Sequence, residues 1–242
     1  MRLAFWQQRP WLTVAVVFFV AAIVGFVIAF PAMFAATCPQ CFGFKRLERG
    51  VYVQRGMAPE VQANAAQIVK QARERVRGFY GAQRAKATIL ICATDPCYRR
   101  LRGGTSRGMA IYDRVLMLSP LGISETIAAH ELSHIEFHRR VGAWKIFRDA
   151  VPVWFDEGLA AVVSDDPRYL APRGTADRCL VHPTQPLPET LREWLQAGGD
   201  DRLYAAAACK VSVWLAANGG PSATVNLAKR MAGGASFDDV FR

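Results

Sequence analysis

This chain has few acidic residues relative to its basic ones, and it has no sequence repeat. Its 242 residues include 20 Asp and Glu against 30 Lys and Arg, so its formal net charge is +10. The excess cations form either a solvated surface or a face that attracts anionic lipid or an acidic partner. No recognition motif accompanies the charge, so we expect no nucleic-acid partner. No repeat or low-complexity tract occurs, and about 200 residues outside one apolar run suit a single domain.

The chain also lacks a second Cys-x-x-Cys motif. The single motif at Cys38 and Cys41 therefore has no partner for a zinc ribbon, and no βαβ pattern around it indicates a redox centre. We expect a juxtamembrane disulfide or a pair of free thiols there. The even total of six cysteines suits an oxidising compartment. We predict one bond between Cys92 and Cys97, and another between Cys179 and Cys209.

One long apolar run, Trp11 to Phe30, contains 20 uncharged residues and matches the thickness of a bilayer. It is longer than the apolar core of a cleavable signal peptide, which favours a retained anchor over a signal. Arg2 and Arg9 precede the run, whereas the first cation after it is Lys45. This bias predicts a cytoplasmic N-terminus and a periplasmic or extracellular remainder.

These features divide the chain into four parts. We assign residues 1–10 to a cytoplasmic N-terminus, 11–30 to a transmembrane anchor, 31–57 to a juxtamembrane segment and 58–242 to the folded domain.

The chemistry of the domain is indicated by His-Glu-Leu-Ser-His at 130–134. On a helix, His130 and His134 lie one turn apart on one face, so both imidazoles can reach the same metal ion. Glu131 is the expected general base. Without a metal, the two histidines and the glutamate would be ordinary polar residues of an amphipathic helix, but the apolar residues around them predict a buried helix, where that is costly.

A catalytic zinc site needs a third protein ligand and one open position for water. Glu157 is the natural third ligand, because it lies on a second apolar segment, Pro152 to Val163, that is typical of a short helix packing against the first. Two neutral histidines and one carboxylate leave a charge of about +1 around Zn²⁺, which favours hydroxide at neutral pH.

The combination of Ala-Ala-His-Glu-Leu-Ser-His with the later Val-Trp-Phe-Asp-Glu-Gly-Leu-Ala resembles the gluzincin metallopeptidases, specifically the small peptidase-MA-like domains. The similarity runs from about Thr88 to the C-terminus. It implies that His130, His134 and Glu157 bind zinc and that Glu131 activates water. It also implies an α+β zincin-like domain with a small mixed sheet and active-site helices, here preceded by one transmembrane helix.

Other zinc arrangements fit less well. Metzincins place glycine and histidine where this chain has Phe137 and Arg140. His138 would lie about 12 Å along the helix from His130, too far for all three histidines to bind one ion, so we expect a partly exposed histidine there.

The chain also departs from many gluzincins at position 161. Those proteins have an aspartate there that orients a ligand histidine, and this chain has Ala161. Asp156 could serve instead, but it points about 100° away from Glu157 on a helix, so we expect it to be solvated.

Peptide hydrolysis further requires a group that stabilises the oxyanion. Tyr204 is the candidate, since the segment from Leu203 to Leu215 resembles the late helix of peptidase-MA-like domains, where a tyrosine occupies a similar place. The alternative is a tyrosine that only packs at the start of a helix. His182 is a weaker candidate, with no motif around it.

Several further elements follow from the sequence pattern. The spacing of Val61, Ala65, Ile68, Val69, Ala72 and Val76 predicts a helix over Ala58 to Phe79. Thr88 to Cys92 and Gly108 to Leu118 are typical of strands, and Met109 to Tyr112 is either a substrate-binding edge strand or part of a plain hairpin. Pro167 to Pro188 suggests an ordered loop beside the site. Helices are predicted at 189–194, 201–218, 221–231 and 236–241.

Together these features predict a membrane-anchored zinc peptidase that acts on a peptide or protein substrate. Two alternatives remain open. One is a degenerate zinc-binding scaffold, and the other is an anchored domain whose basic face contacts lipid or an envelope partner.

Overall fold

The computed structural model describes residues 10–175 and 177–241 and has a mixed α+β fold. The predicted cytoplasmic N-terminus comprises residues 1–10, of which the structure describes only Pro10. Helix α1 (Pro10–Ala29) comes first, and its segment Trp11–Ala29 is long and apolar enough to cross a membrane. Its composition thus agrees with the predicted anchor.

The chain leaves α1 through a second short helix that packs on the sheet. Helix α2 (Pro31–Thr37) buries Ala32 and Ala35, and a 3₁₀ turn at Pro39–Phe42 follows it. Cys38 and Cys41 form a disulfide across this turn. Of the two states expected for the Cys-x-x-Cys motif, the structure therefore has the disulfide.

A small mixed sheet forms the centre of the domain, as the sequence predicts. Its strands are β1 (Phe44–Glu48), β2 (Val51–Gln54), β3 (Thr88–Ile91), β4 (Gly108–Ile111) and β5 (Val115–Leu118). The order across the sheet is β1-β2-β3-β5-β4; the two outer pairs are antiparallel and the two inner pairs are parallel. Strand β4 is therefore an edge strand, and β1 and β2 come from the segment assigned to 31–57.

The two faces of the sheet are covered differently. The smaller core lies on the face with α2 and α4 (Asp95–Arg100), where Phe44, Leu90 and Met117 are fully buried. The larger core lies on the other face, beneath the long helices. Helix α3 (Pro59–Tyr80) buries there the apolar positions predicted for it, except Val61 in its first turn, which is exposed.

The helices that carry the predicted zinc motifs pack together over the larger core. They are α5 (Glu125–Val141) and α7 (Val153–Ser164), and α9 (Asp201–Ala217) packs against α7. Ser124 caps α5 by accepting a hydrogen bond from the Ile127 amide at 3.2 Å. Gly158 allows the close approach of α7 to α9, since a Cβ there would lie 2.5 Å from the Ala207 carbonyl oxygen.

The remaining helices are α6 (Ala143–Phe147), α8 (Leu191–Gln196), α10 (Pro221–Ala232) and α11 (Phe237–Val240). The last three lie where helices are predicted, whereas α6 is not predicted. The predicted disulfides Cys92–Cys97 and Cys179–Cys209 are both present, and the second ties the 167–188 loop to α9.

Candidate metal centre

The side chains of His130, His134 and Glu157 meet between α5 and α7. His130 Nε2 lies 3.2 Å from Glu157 Oε2, and His134 Nε2 lies 3.6 Å from the same oxygen. One donor atom from each of the three residues lies within 4.8 Å of the others. Both histidines are buried and the Glu157 side chain is one-fifth exposed. The three predicted ligands therefore form one largely buried cluster.

These distances suit a tetrahedral metal ion. Ligand atoms 2.0–2.1 Å from Zn²⁺ at tetrahedral angles lie about 3.3 Å from one another. The two measured separations from Glu157, 3.2 and 3.6 Å, bracket that value. Two imidazole nitrogens and one carboxylate also form a donor set that zinc uses in catalytic sites. The buried group can thus hold a metal ion, and its donors fit zinc.

Glu131 lies beside this cluster and against the edge of the sheet. Its side chain is buried, and its carboxylate accepts a hydrogen bond from the backbone amide of Ala110 in β4. A Cβ at Gly108 would lie 2.7 Å from Glu131 Cγ. Glycine at this position of β4 therefore leaves the space that the glutamate side chain occupies.

Two residues that sequence reasoning placed in solvent lie behind the ligands instead. His138 is buried, and its Nε2 lies 2.7 Å from Asp156 Oδ2, whereas its Nδ1 lies 3.1 Å from the Tyr112 carbonyl oxygen. The Asp156 side chain is only 19% exposed. The expectations of a partly exposed His138 and a solvated Asp156 are therefore wrong.

Asp156 also contacts a predicted metal ligand. Its Oδ1 lies 3.0 Å from His134 Nδ1. The two atoms are not aligned as a hydrogen bond, yet both are buried without another partner, and buried polar atoms are normally bonded. This contact engages His134 Nδ1 and leaves Nε2 for a metal ion. Asp156 thus supplies a carboxylate behind His134, which Ala161 cannot provide.

The charges of the cluster shift the pKa values of its members in opposite directions. Burial acts to raise the pKa of Glu157, but His134 and His130 outweigh it and lower that pKa to about 2. Burial acts to lower the pKa of His134, but the carboxylates of Asp156 and Glu157 hold it well above its ordinary value. Burial raises the pKa of Glu131, although the two histidines oppose this. Glu157 is thus the persistent anion, and Glu131 the carboxyl that protonates more readily.

Tyr204 lies at the rim of the cluster, at the start of α9. Its ring centroid is 6.4 Å from that of His130, and its ring stacks on Tyr169 at 5.1 Å and meets Trp194 edge-on at 5.0 Å. Burial and the nearby Glu157 carboxylate raise the pKa of Tyr204. The hydroxyl therefore keeps its proton. Tyr204 thus packs against aromatic rings close to His130, and its role as an oxyanion donor stays a prediction.

His182 lies away from the cluster. Its Nδ1 is 3.7 Å from Cys209 Sγ, and its side chain is 66% exposed. His182 lies close to Cys179 and Cys209, but the three residues do not form a metal site, because the two sulfurs are bonded to each other. His182 therefore has no place beside the predicted ligands.

The edge strand β4 borders the cluster on the side of Glu131. The Ser119 amide donates to the Arg107 carbonyl at 2.9 Å, so Arg107 faces β5. Because antiparallel strands alternate in hydrogen bonding, the backbone groups of Gly108 and Ala110 point away from β5. The segment is both an edge strand and one arm of a hairpin with β5, so binding of a substrate along it stays a prediction.

Comparison with known proteins adds no relative. No protein-family model, no curated protein and no solved structure matches this chain. The resemblance to gluzincins therefore stays a prediction from the motif residues.

Proposed function

We propose that this protein is a membrane-anchored zinc-dependent peptidase of the gluzincin type. The observation that carries the proposal is the convergence of His130 Nε2, His134 Nε2 and Glu157 Oε2 at separations that suit zinc. The contact between Asp156 and His134 supports the proposal. A salt bridge between His134 and Glu157 alone would not require a second carboxylate on the other side of the imidazole.

The donor set would hold Zn²⁺ with one position left open. Bound zinc supplies Lewis acidity, which lowers the pKa of water to about 7 and polarises a carbonyl group. The protein contributes the geometry and the handling of protons.

Glu131 is the proton carrier in this proposal. Its carboxylate takes a proton from the attacking water and returns it to the leaving amine nitrogen. Burial raises the pKa of Glu131 towards the range in which it can both accept and release a proton. The Ala110 amide orients the carboxylate, since it donates to it from the edge of the sheet.

A peptide substrate would bind along β4. The outward backbone groups of Gly108 and the carbonyl oxygen of Ala110 can pair with an extended peptide, which holds the scissile bond beside Glu131. Tyr204 would donate its hydroxyl proton in a hydrogen bond to the oxyanion, and its raised pKa keeps that proton available.

The location of the domain is part of the proposal. The apolar helix α1 would hold it at the membrane, and the three disulfides support an oxidising compartment, periplasmic or extracellular.

Metal content and peptide cleavage of the full-length protein in detergent test this function. We expect about one zinc per chain and cleavage of a broad peptide library. Glu131→Gln should retain zinc and lose cleavage by roughly 10² to 10⁴-fold. Glu60→Gln, at an exposed carboxylate of α3, is the matched control and should change neither.

The outcomes separate the alternatives. Zinc without Glu131-dependent cleavage would favour a zinc-binding scaffold. Absence of metal after purification without chelators would contradict the peptidase and the scaffold alike.

A further inference from the structure

A group of exposed aromatic rings lies beside the candidate metal centre. Trp144 and Phe147 of α6 are 66% and 59% exposed, and Tyr112, in the turn between β4 and β5, is 39% exposed. The rings of Trp144 and Phe147 stack with centroids 5.4 Å apart, and Tyr112 lies 6.3 Å from Phe147. We call these three residues the aromatic patch. The His138 contact with the Tyr112 carbonyl places the patch at the C-terminal end of α5.

Folding alone does not explain the aromatic patch. Helix α6 has no buried residue, so Trp144 and Phe147 add little to the core. Tyr112 has φ of +49°, a left-handed conformation that glycine or asparagine adopts more easily than a bulky residue. A large and partly exposed ring is thus present at a position whose backbone disfavours it. Such features mark surfaces used for contact with another molecule.

Cations surround the aromatic patch. The Arg148 guanidinium lies over the Trp144 ring at 5.5 Å from its centroid, and Lys145 lies on the same helix. Arg114 and Arg139 both pair with Asp113, which is 6% exposed and so contributes little negative surface. Asp149 is the exposed acid next to Arg148. Lys145 lines a cavity with Asp149 and the exposed carboxylates of Glu189 and Asp238. Around the rings themselves, Arg114, Arg139 and Arg148 against Asp113 and Asp149 give a net charge of about +1 and a preference for anionic partners.

Strand β5 connects the aromatic patch with α2, the helix that follows α1. Helix α2, which follows α1 directly, packs against β3 and β5, and the turn that holds Tyr112 leads into β5. Seven helical residues span about 10 Å and four strand residues about 13 Å, so the end of α1 lies on the order of 30 Å or less from this turn. The patch therefore lies within about 30 Å of the helix that would anchor the domain.

We infer that the aromatic patch docks onto the anionic lipid surface of the membrane in which α1 is anchored. Trp and Tyr rings favour the headgroup region, where one end of the ring is apolar and the other wet. The flanking Arg side chains attract anionic headgroups at the same depth. This inference goes beyond peptidase activity and depends only on the anchoring of α1.

The fluorescence of Trp144 tests the docking in the full-length protein. The protein is reconstituted in nanodiscs of phosphatidylcholine with or without phosphatidylglycerol, and with or without lipids brominated near the headgroup. The emission of Trp144 is the difference between wild type and Trp144→Phe, so the other tryptophans cancel. We expect this emission to be blue-shifted and quenched by bromine in the anionic nanodiscs.

Charge variants test the lipid preference. Arg114→Gln and Arg148→Gln should each lower the ratio of docked to undocked protein about fivefold, and salt should lower it further. Lys229→Gln with Arg230→Gln, in the last turn of α10, is the matched control and should leave quenching unchanged. Far-UV circular dichroism checks that each variant is folded.

Three results would overturn the inference. They are a water-exposed Trp144 emission in anionic nanodiscs, equal quenching with and without phosphatidylglycerol, and blue-shifting only when an acidic protein is added. None of these measurements involves zinc or cleavage, so failure of the docking and failure of the peptidase function are distinguishable.

Discussion

Asp156 Oδ1 lies 3.0 Å from His134 Nδ1, on the side of the imidazole opposite the nitrogen that faces Glu157. The other oxygen of Asp156 lies 2.7 Å from His138 Nε2. One carboxylate therefore contacts two histidines on successive turns of α5. His138, held in turn at the Tyr112 carbonyl, fixes the position of Asp156 and thereby the ring of His134.

Replacement of Asp156 should weaken metal binding. Asp156→Asn keeps the shape of the side chain but removes the anion that orients His134. Loss of a carboxylate that contacts a ligand histidine weakens metal affinity by about 10 to 100-fold. Competition of the protein with a zinc-sensitive dye measures this affinity. Asp149→Asn is the matched control, because Asp149 is exposed and its positive φ of +52° suits asparagine. Equal zinc affinity in wild type and Asp156→Asn would contradict the role of Asp156.

The meeting of His130, His134 and Glu157 could be predicted from sequence, because residues one helical turn apart share a face wherever the helix lies. The contacts of Asp156 could not. Neighbours on a helix differ by about 100°, so the sequence places either Asp156 or Glu157 towards α5 but not both. The structure shows that both reach α5, where they contact histidines on three successive turns.

One feature of the sequence could have predicted that His138 is buried. It continues the spacing of His130 and His134 by a further four residues, so it lies on the same buried stripe of α5. Its distance from His130 excluded it as a third ligand to the same ion but not as a partner of a carboxylate behind the site. Strands β1 and β2 were missed because they follow the apolar run closely, and their pairing with β3 depends on distant residues.

Tyr204→Phe should lower turnover without affecting metal binding. It removes one oxyanion donor and keeps the packing against Tyr169 and Trp194, so we expect kcat to fall by about 10² to 10³-fold with KM nearly unchanged. Steady-state peptide hydrolysis measures both parameters. Tyr169→Phe is the control, since the Tyr169 hydroxyl donates to Asp201 at 3.1 Å rather than facing the cluster. A similar loss in both variants would show that the aromatic packing, not the Tyr204 hydroxyl, is required.

Gly108→Ala should displace Glu131. The added Cβ would lie 2.7 Å from Glu131 Cγ, so the carboxylate must move, and a displacement of about 1 Å can reduce the rate about 100-fold. Zinc content should stay the same, because Glu131 is not one of the predicted ligands. Gly78→Ala is the matched control; it lies inside α3 with no atom near the added Cβ, and should retain activity. Loss of zinc together with activity in Gly108→Ala would argue against a selective effect on Glu131.

The pH dependence of stability should reveal the role of Asp165, which ends α7. Its carboxylate pairs with Arg173 at 2.8 Å, with Arg75 at 3.8 Å and with Arg178, and so joins the 167–188 loop to α3 and α7. Burial acts to raise the pKa of Asp165, but the two loop arginines outweigh it and hold that pKa below its ordinary value of 3.8. The ionised form therefore stabilises the folded state.

Asp165→Asn isolates this contribution, because asparagine also tolerates the φ of +54° at this position. A depressed pKa gives stability that is fully present above the unfolded value and is lost as the pH falls through the folded value. Wild type should thus exceed Asp165→Asn by about 1 kcal/mol at pH 7, a difference that shrinks below about pH 4. Thermal unfolding in detergent across this range measures it, with exposed Asp238→Asn as the control. A difference that is independent of pH would mean that the Asp165 contribution is not ionic.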